Sequence, residues 1–301
     1  FGYIIAISIL PDSPAEKAGI HSGDIFESIG GFTTRDMSVG QAKNLLTGQP
    51  GTAVKVAVIR RGKATPDDVD VVREKFTPVK MTVQKGDSDT LVLRLTSLDA
   101  GRADEVRTRL LDAQKQGVHN VILDLRNCGR GPVSEAISIA RFFVPSGTLT
   151  TLRGQTASTQ VFAAEPKQVI WKTPVSGRID ATTSGAAEVL ASAIVANHRG
   201  NVVGERTFGL ASEQKLITLD DGSALILTTA NYYNPSGKSI LEEGVTPTEV
   251  VHATAEDDSD VDDSTPDTTP KKDDQGPRPL SPGDPIYHKA LDLLTAPVKK
   301  A

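Results

Sequence analysis

The chain has 301 residues, 38% of them apolar, which is enough for two domains with hydrophobic cores. Its net charge of −5 argues against nucleic-acid binding, because proteins that bind polyanions concentrate positive charge on one face. The single cysteine, Cys128, excludes a disulfide framework, and the five histidines form no pair at metal-ligand spacing. We therefore expect no metal and no cofactor.

The first part of the chain has the pattern of a small module rich in strands. Apolar and polar residues alternate within its short segments, and turn-forming residues separate those segments. In chain order we predict a strand from Tyr3 to Leu10, a short helix from Ala15 to Ala18, a strand from Asp24 to Ile29, a helix from Ser38 to Leu46 and a strand through Val54, Val56 and Val58.

From Leu91 onwards the pattern changes, because strand-like segments alternate with helical ones. We predict strands from Leu91 to Leu95, Val118 to Leu125, Thr148 to Leu152 and Asn201 to Gly204, and helices from Ala100 to Gln116, Ser134 to Phe143 and Gly185 to Asn197. A hairpin from Leu216 to Thr229 is predicted to turn at Asp220-Asp221-Gly222. Strands that alternate with helices predict a layered α/β domain.

The last fifty residues differ in composition from the rest. Residues 256–274 contain nine carboxylates and two lysines, and such a segment cannot bury enough apolar surface to fold alone. We predict a disordered acidic linker over 252–282, with an acidic docking segment as the alternative. Tyr287, Leu291 and Leu294 then follow at i, i+4 and i+7, which predicts a helix within 283–301 that packs on another surface.

The segment Ser13 to Asp24 reads S-P-A-E-K-A-G-I-H-S-G-D. It resembles the S-P-A-x-x-A-G-I-x-x-G-D signature of bacterial PDZ domains. The residues suit that fold, because Pro14 preorganises the first helical turn and Gly19 can end the helix in a left-handed conformation. The resemblance implies a PDZ domain over 1–75 whose N-terminal strands precede Phe1.

Four later segments resemble the carboxyl-terminal processing proteases, which are serine peptidases with a PDZ domain before the peptidase core. They occur in that family's order, and they are D-L-R at 124–126, G-E-R-T-F-G at 204–209, D-G-S-A-L at 221–225 and Y-Y-N-P-S-G-K-S-I at 232–240. The resemblance implies an α/β fold in which the PDZ domain is followed, over 76–251, by a layered peptidase core of the crotonase or ClpP type.

Members of this family carry a serine nucleophile in S-A-S-A-S-E and a lysine general base 25 residues later in F-G-K-G. The matching segments here read T-S-G-A-A-E at 183–188 and F-G-L-A at 208–211, at the same 25-residue spacing. The resemblance thus assigns the nucleophile position to Gly185 and the base position to Leu210. Glycine has no side chain to attack a carbonyl and leucine accepts no proton, so both catalytic groups are predicted to be absent.

The same motifs imply three further site positions. Gln214 matches a residue that orients the lysine, and Ala186 lies at a helix start, where backbone N–H groups can help to bind an oxyanion. The family's glycine-rich turn R-G-N-P-G-G reads R-N-C-G-R-G at 126–131. It keeps Gly131 in the oxyanion region but has Arg130 in place of a glycine, and we expect Arg130 to shield or enter the cleft.

The leading interpretation is a pseudoprotease that binds peptides without hydrolysing them. The alternative is an active serine-type endopeptidase that processes C-terminal tails with a relocated nucleophile. Ser184 is one candidate, with helix capping as its other interpretation. Cys128 is the second, because a helix start lowers a thiol pKa; it would need His119 or His198 as its base, and otherwise it is a small buried apolar group.

The resemblance also implies the partners and the location. We expect protein or peptide C-termini as partners and no nucleic acid or metal, and the sequence leaves a homo-oligomer open. Family members work in the periplasm or outside the membrane, so we expect a periplasmic or other extracytoplasmic location. Anchorage to the membrane through a segment upstream of Phe1 is compatible with this.

Overall fold

The computed structural model describes residues 2–60, 62–77, 80–155, 158–220, 224–252 and 283–295. Within these ranges the strands form three sheets. Of the predicted acidic linker only His252 lies in the described part, and the turn residues 221–222 and the residues after 295 also lie outside it. None of the described helices has the length and apolar character needed to span a lipid bilayer.

An antiparallel sheet forms the N-terminal module. In chain order its elements are β1 (Ile4–Ile5), α1 (Pro14–Lys17), β2 (Ile25–Ile29), β3 (Phe32–Thr33), α2 (Val39–Leu46), β4 (Ala53–Ile59) and β5 (Asp67–Val72). The strand order is β1-β2-β4-β5, with β3 beside β2. Val54, Val56 and Val58 lie on one face of β4 and are buried in a core of their own, because side chains alternate along a strand.

The second part of the chain alternates strands with helices. Its elements are β6 (Thr82–Lys85), β7 (Thr90–Arg94), α3 (Arg102–Lys115), β8 (Asn120–Asp124), α4 (Val133–Phe143), β9 (Thr148–Gly154), β10 (Gln160–Ala163), β11 (Val175–Ile179), α5 (Ala186–Ala196), β12 (Asn201–Gly204), β13 (Ser212–Thr218), β14 (Ala224–Tyr233), β15 (Glu249–Val250) and α6 (Pro285–Thr295).

These elements form a layered core. The central sheet has the order β15-β12-β11-β8-β7-β6 and is parallel except for the antiparallel pair of β6 with β7. The second sheet is antiparallel, with the order β10-β9-β14-β13. Helix α5 contacts both β12 and β9, so it lies between the sheets. Leu93 and Leu123 lie on one face of the central sheet and pack in the core with α3, α4 and α5. Ile122 lies on the other face and packs against α6.

Helix α6 is fixed to the central sheet by buried charges. Asp284, just before the helix, accepts hydrogen bonds from the N–H groups of Ile286 (3.0 Å) and Tyr287 (3.1 Å). Its other carboxylate oxygen pairs with Arg178 and, at 3.1 Å, with Arg126. Desolvation lowers the pKa of the fully buried Arg178 to about 10. The Asp284 carboxylate therefore binds both Arg178 of the central sheet and the N-terminus of α6.

The observed architecture agrees with the predicted layered α/β core after a strand-rich module, but the first predicted strand is shorter than expected. Only β1 is paired as a strand, through Ile4 with Phe26 and Ile5 with Ile25. Ala6 still makes backbone hydrogen bonds with Gly23 and Asp24, and residues 7–10 leave the sheet. The sequence analysis also predicted no strand for β3, β5, β6, β10, β11 or β15. In β5 the acidic residues Asp68 and Asp70 alternate with valines, so its sequence resembles that of a charged loop.

Candidate active site

Parallel strands place three loops at one edge of the central sheet. Arg178 of β11 lies beside Asp124 of β8, and Ile179 lies beside Gly204 of β12. Because the carboxyl ends of parallel strands meet at the same edge, the segments that follow β8, β11 and β12 lie close together. These segments contain most of the residues that the sequence assigned to the site.

The turn after β8 is held in place by carboxylates. Asp124 accepts two hydrogen bonds from the Arg126 guanidinium, at 2.9 and 3.0 Å. Burial favours the neutral acid, but Arg178 and Arg126 hold the pKa of Asp124 well below its usual range. The Asn127 N–H donates to the Asp180 carboxylate at 3.2 Å, which joins this turn to the loop after β11.

Gly131 closes the turn at a position that excludes a side chain. Its φ is +124°, and a Cβ there would lie 2.1 Å from the carbonyl oxygen of Leu98. The assignment of Gly131 to an oxyanion region stays a prediction. Arg130 was expected to shield or enter the cleft, and its guanidinium Nε donates instead to Asp99 Oδ1 at 2.9 Å, with the side chain 55% exposed.

Helix α5 begins at the predicted nucleophile position. Gly185 is its N-cap residue, with φ 62° and ψ −119°, which is a left-handed φ that favours glycine. A Cβ built on Gly185 meets no atom within 4 Å, so a side chain there would project into open space. Ala186, the next residue, is buried in the first turn of the helix.

The Glu188 carboxylate joins the start of α5 to the loop after β12. Its Oε2 accepts hydrogen bonds from the N–H groups of Gly185 and Leu210, both at 2.8 Å, so those two nitrogens are at most about 5.6 Å apart. Its Oε1 accepts hydrogen bonds from the Thr207 hydroxyl and the Gly209 N–H, both at 2.6 Å. The predicted nucleophile and base positions are therefore neighbours, held by one buried side chain.

Desolvation raises the pKa of Glu188, although its four hydrogen-bond donors favour the ionised form. The sequence motif at 183–188 assigned no role of its own to this residue. Its position three residues after Gly185 is the spacing of a capping box and was the available signal for its role at the helix start. Its bonds to residues 207–210 depend on the fold.

Replacing Glu188 by alanine is expected to lower the free energy of unfolding by about 3 kcal/mol, because buried N–H and O–H donors lose their acceptor. Urea denaturation checks this, followed by the fluorescence of Trp171, the single tryptophan of the chain. Glu243→Ala, at an exposed glutamate, is the matched control, with an expected change within about 0.5 kcal/mol. Equal stability of the two variants would contradict the bridging role.

The predicted base position is open to solvent. Burial would help to keep a lysine base neutral, but the Leu210 side chain is 40% exposed. Gln214 is also exposed and lies on β13, beside an irregularity in the pairing with β14. A lysine at 210 would therefore remain largely hydrated.

The candidate replacement nucleophiles are both buried. Ser184 is 1% exposed, and it is not the helix cap that the alternative reading expected, because Gly185 occupies that position. Cys128 is fully buried, and desolvation raises the pKa of its thiol to about 12. His119 and His198, by contrast, are exposed. These environments oppose the use of either residue as a nucleophile.

A contact that sequence reasoning missed brings the N-terminal module to this edge of the core. The Asn127 side chain accepts a hydrogen bond from the Ile9 N–H at 3.0 Å and donates one to the Ile9 carbonyl at 2.5 Å. A Cβ on Gly129 would lie 2.4 Å from Ser8 Oγ and 2.8 Å from Ser184 Oγ. The backbone of Ile9 is therefore satisfied by the core and not by the sheet, which explains why the first strand does not extend to Leu10.

Comparison with known families and proteins supports the family that the sequence motifs predicted. Residues 89–251, more than half of the chain, match the family model of peptidase family S41, and residues 6–60 match that of a PDZ domain. The carboxyl-terminal-processing protease of Synechocystis sp. is 29% identical over 293 residues, which cover 96% of this chain and 64% of the relative. That of Picosynechococcus sp. is 31% identical over 245 residues, covering 80% and 59%.

Among solved structures, the photosystem II D1 C-terminal processing protease matches with a TM-score of 0.77 and 27% identity, over 83% of this chain and 68% of that one. The predicted fold class, a PDZ domain followed by a peptidase core of mixed α/β type, is confirmed. The chain spans about half to two thirds of the length of the curated relatives it matches.

Proposed function

The chain belongs to peptidase family S41, and from that premise we propose that it is a homologue of the carboxyl-terminal processing proteases that binds peptides without cleaving them. One observation carries the proposal. The Glu188 carboxylate holds the backbones of Gly185 and Leu210 side by side, and neither residue offers a nucleophile or a base. The arrangement of the site is kept without its reactive groups.

Peptide binding needs only parts of the fold that are independent of the catalytic pair. An extended peptide can add to a free sheet edge through main-chain hydrogen bonds. In the described sheet β10-β9-β14-β13, strand β13 lies at the edge and begins two residues after Leu210. The PDZ domain is a second module suited to peptides. We propose that protein or peptide C-termini are the partners.

The alternative, hydrolysis with a relocated nucleophile, is opposed by the burial of Ser184 and Cys128. Desolvation raises the pKa of the Cys128 thiol to about 12, which disfavours the thiolate that a cysteine nucleophile needs. Substrate access would require the surrounding turn to open.

A combined assay tests the proposal. We expect that the native protein does not digest unfolded casein, does not label with a fluorophosphonate, and does not react with Ellman's reagent at pH 8. In urea one thiol should react, because Cys128 is the single cysteine of the chain. An active family member assayed in parallel is the positive control. Stoichiometric labelling of Ser184 or Cys128 together with digestion of casein would overturn the proposal.

A further inference from the structure

A cavity opens on the outer face of the second core sheet. Leu152, Ala230 and Tyr232 face the core and are buried, so the alternating residues Arg153, Asn231 and Tyr233 face outwards. The cavity has a volume of about 640 Å³, and its lining includes Arg153, Gln155, Leu227, Thr229, Asn231 and Tyr233. None of these lining residues is among the catalytic or oxyanion positions that the sequence assigned.

The cavity presents a cation that lies over an aromatic ring. The Arg153 guanidinium carbon lies 4.7 Å from the centroid of the Tyr233 ring, a distance typical of a cation–π contact. In the part of the chain that the structure describes, no carboxylate pairs with Arg153. A planar guanidinium with free N–H groups is the side chain best suited to bind a carboxylate through two hydrogen bonds.

The wall beside Arg153 holds a polar atom without a partner. Asn231 pairs with Arg153 across the strands, and its side-chain Oδ1 is buried and accepts no hydrogen bond within the described residues. Such an atom costs free energy in the free protein, and a ligand N–H would satisfy it. A peptide carries an N–H donor and a carboxylate close together.

The cavity lies next to the predicted base position. Asn231 pairs with Ser212 of β13, two residues after Leu210, and the Tyr232 N–H donates to the Ala211 carbonyl at 3.2 Å. A peptide that lies across the outer face of β14, beside β13, would reach this cavity. We propose that the cavity binds a carboxylate of an extended peptide, with Arg153 holding the carboxylate and Asn231 accepting a peptide N–H. This inference rests on the proposed peptide-binding function.

The test follows the Arg153 Nε–H resonance by NMR in the whole protein. The resonance is assigned by its loss in Arg153→Lys. N-acetyl-Ala-Ala supplies a terminal carboxylate, N-acetyl-glutamic acid α-amide supplies a side-chain carboxylate, and the amide of N-acetyl-Ala-Ala supplies neither. We expect an acid to shift the resonance and the neutral amide to leave it in place. The acid that shifts the resonance shows whether the site binds a terminal carboxylate or a side-chain carboxylate.

Two variants separate a binding role from a structural one. Arg153→Gln should weaken binding of the active acid at least about tenfold, because a charge-assisted contact is lost. Asn231→Val should weaken binding several-fold and yet raise the melting temperature, since it removes an unpartnered buried atom. Arg109→Gln, at an exposed arginine of α3, is the matched charge control and should bind like the parent protein.

If neither acid shifts the resonance, or if Arg153→Gln binds as the parent protein does, the carboxylate site is refuted. A fall in melting temperature together with weaker binding in Asn231→Val would reduce Asn231 to a structural residue and refute its assigned role. The casein assay tests the proposed inactivity separately. A protein that cleaves casein would overturn that inactivity. The NMR measurement with the two acids would still decide whether the carboxylate site exists.

Discussion

Replacing Gly185 by serine and Leu210 by lysine together is expected to create peptidase activity that neither change creates alone. The N–H groups of both residues bind one Glu188 oxygen at 2.8 Å, so their side chains start close enough to approach each other. A positioned general base contributes about 10²–10⁴-fold to a rate. Casein digestion by the double variant should exceed that of either single variant by at least about 10²-fold.

Serine at position 185 is expected to lower the stability of the protein, and a control variant separates this effect from catalysis. At φ +62° a residue with a Cβ is strained by about 1–2 kcal/mol, although the space around that Cβ is open. Gly185→Ala has the same strain and no hydroxyl, so it should melt at the same lowered temperature as Gly185→Ser. The pair Gly185→Ala with Leu210→Lys should remain inactive.

The pH profile of the double variant follows from the exposure of Leu210. A lysine at a 40% exposed position stays charged near neutral pH, so Leu210→Lys should cost little stability, contrary to the expectation for a buried amine. For the same reason the activity should rise as the pH rises towards the lysine pKa. A double variant that folds, yet neither labels with a fluorophosphonate nor digests casein at pH 9, would refute the assignment of these two positions.

Replacing Asp284 by alanine should give the largest loss of stability, about 3–5 kcal/mol. The change leaves Arg178 and Arg126 without one of their carboxylates and removes the acceptor for the N–H groups of Ile286 and Tyr287. Because Asp284 fixes α6 to the central sheet, the amides of α6 should lose their protection. Hydrogen exchange followed by mass spectrometry measures this directly.

Two further variants define the cause. Asp284→Asn keeps an oxygen that can cap the helix but removes the charge, so its loss of stability should lie between those of the parent protein and Asp284→Ala. Asp292→Ala removes an exposed acid from the same helix and should change stability by no more than about 0.5 kcal/mol. Unchanged exchange in α6 of Asp284→Ala would show that apolar contacts alone hold the helix.

Motif spacing predicted much of the arrangement, because the spacing reflects local structure. The segment Ser13 to Asp24 encodes its own turns, and α1 begins with Ser13 as the cap and Pro14 in the first turn. The helical periodicity after Pro285 predicted α6 and its need for a packing surface. Each of these signals lies within about a dozen residues of sequence.

Features that depend on distant segments were not predictable in this way. Residues 7–10 were predicted to be part of a strand because three of the four are apolar, but Asn127, more than a hundred residues later, binds the backbone of Ile9. The four donors at Glu188 come from two segments, and the exposure of Leu210 is set by the path of the loop after β12. Sequence similarity supplied the positions, whereas the fold determined their surroundings.

The left-handed backbone at Gly185 has a consequence for how such a protein can change over time. At this position any catalytic side chain would have to be maintained against local strain, whereas glycine occupies it without that penalty. A protein selected only for binding therefore gains stability by having glycine there. Loss of catalysis at this position therefore raises the free energy of unfolding. Regaining a catalytic side chain lowers it again, so that change requires selection for turnover.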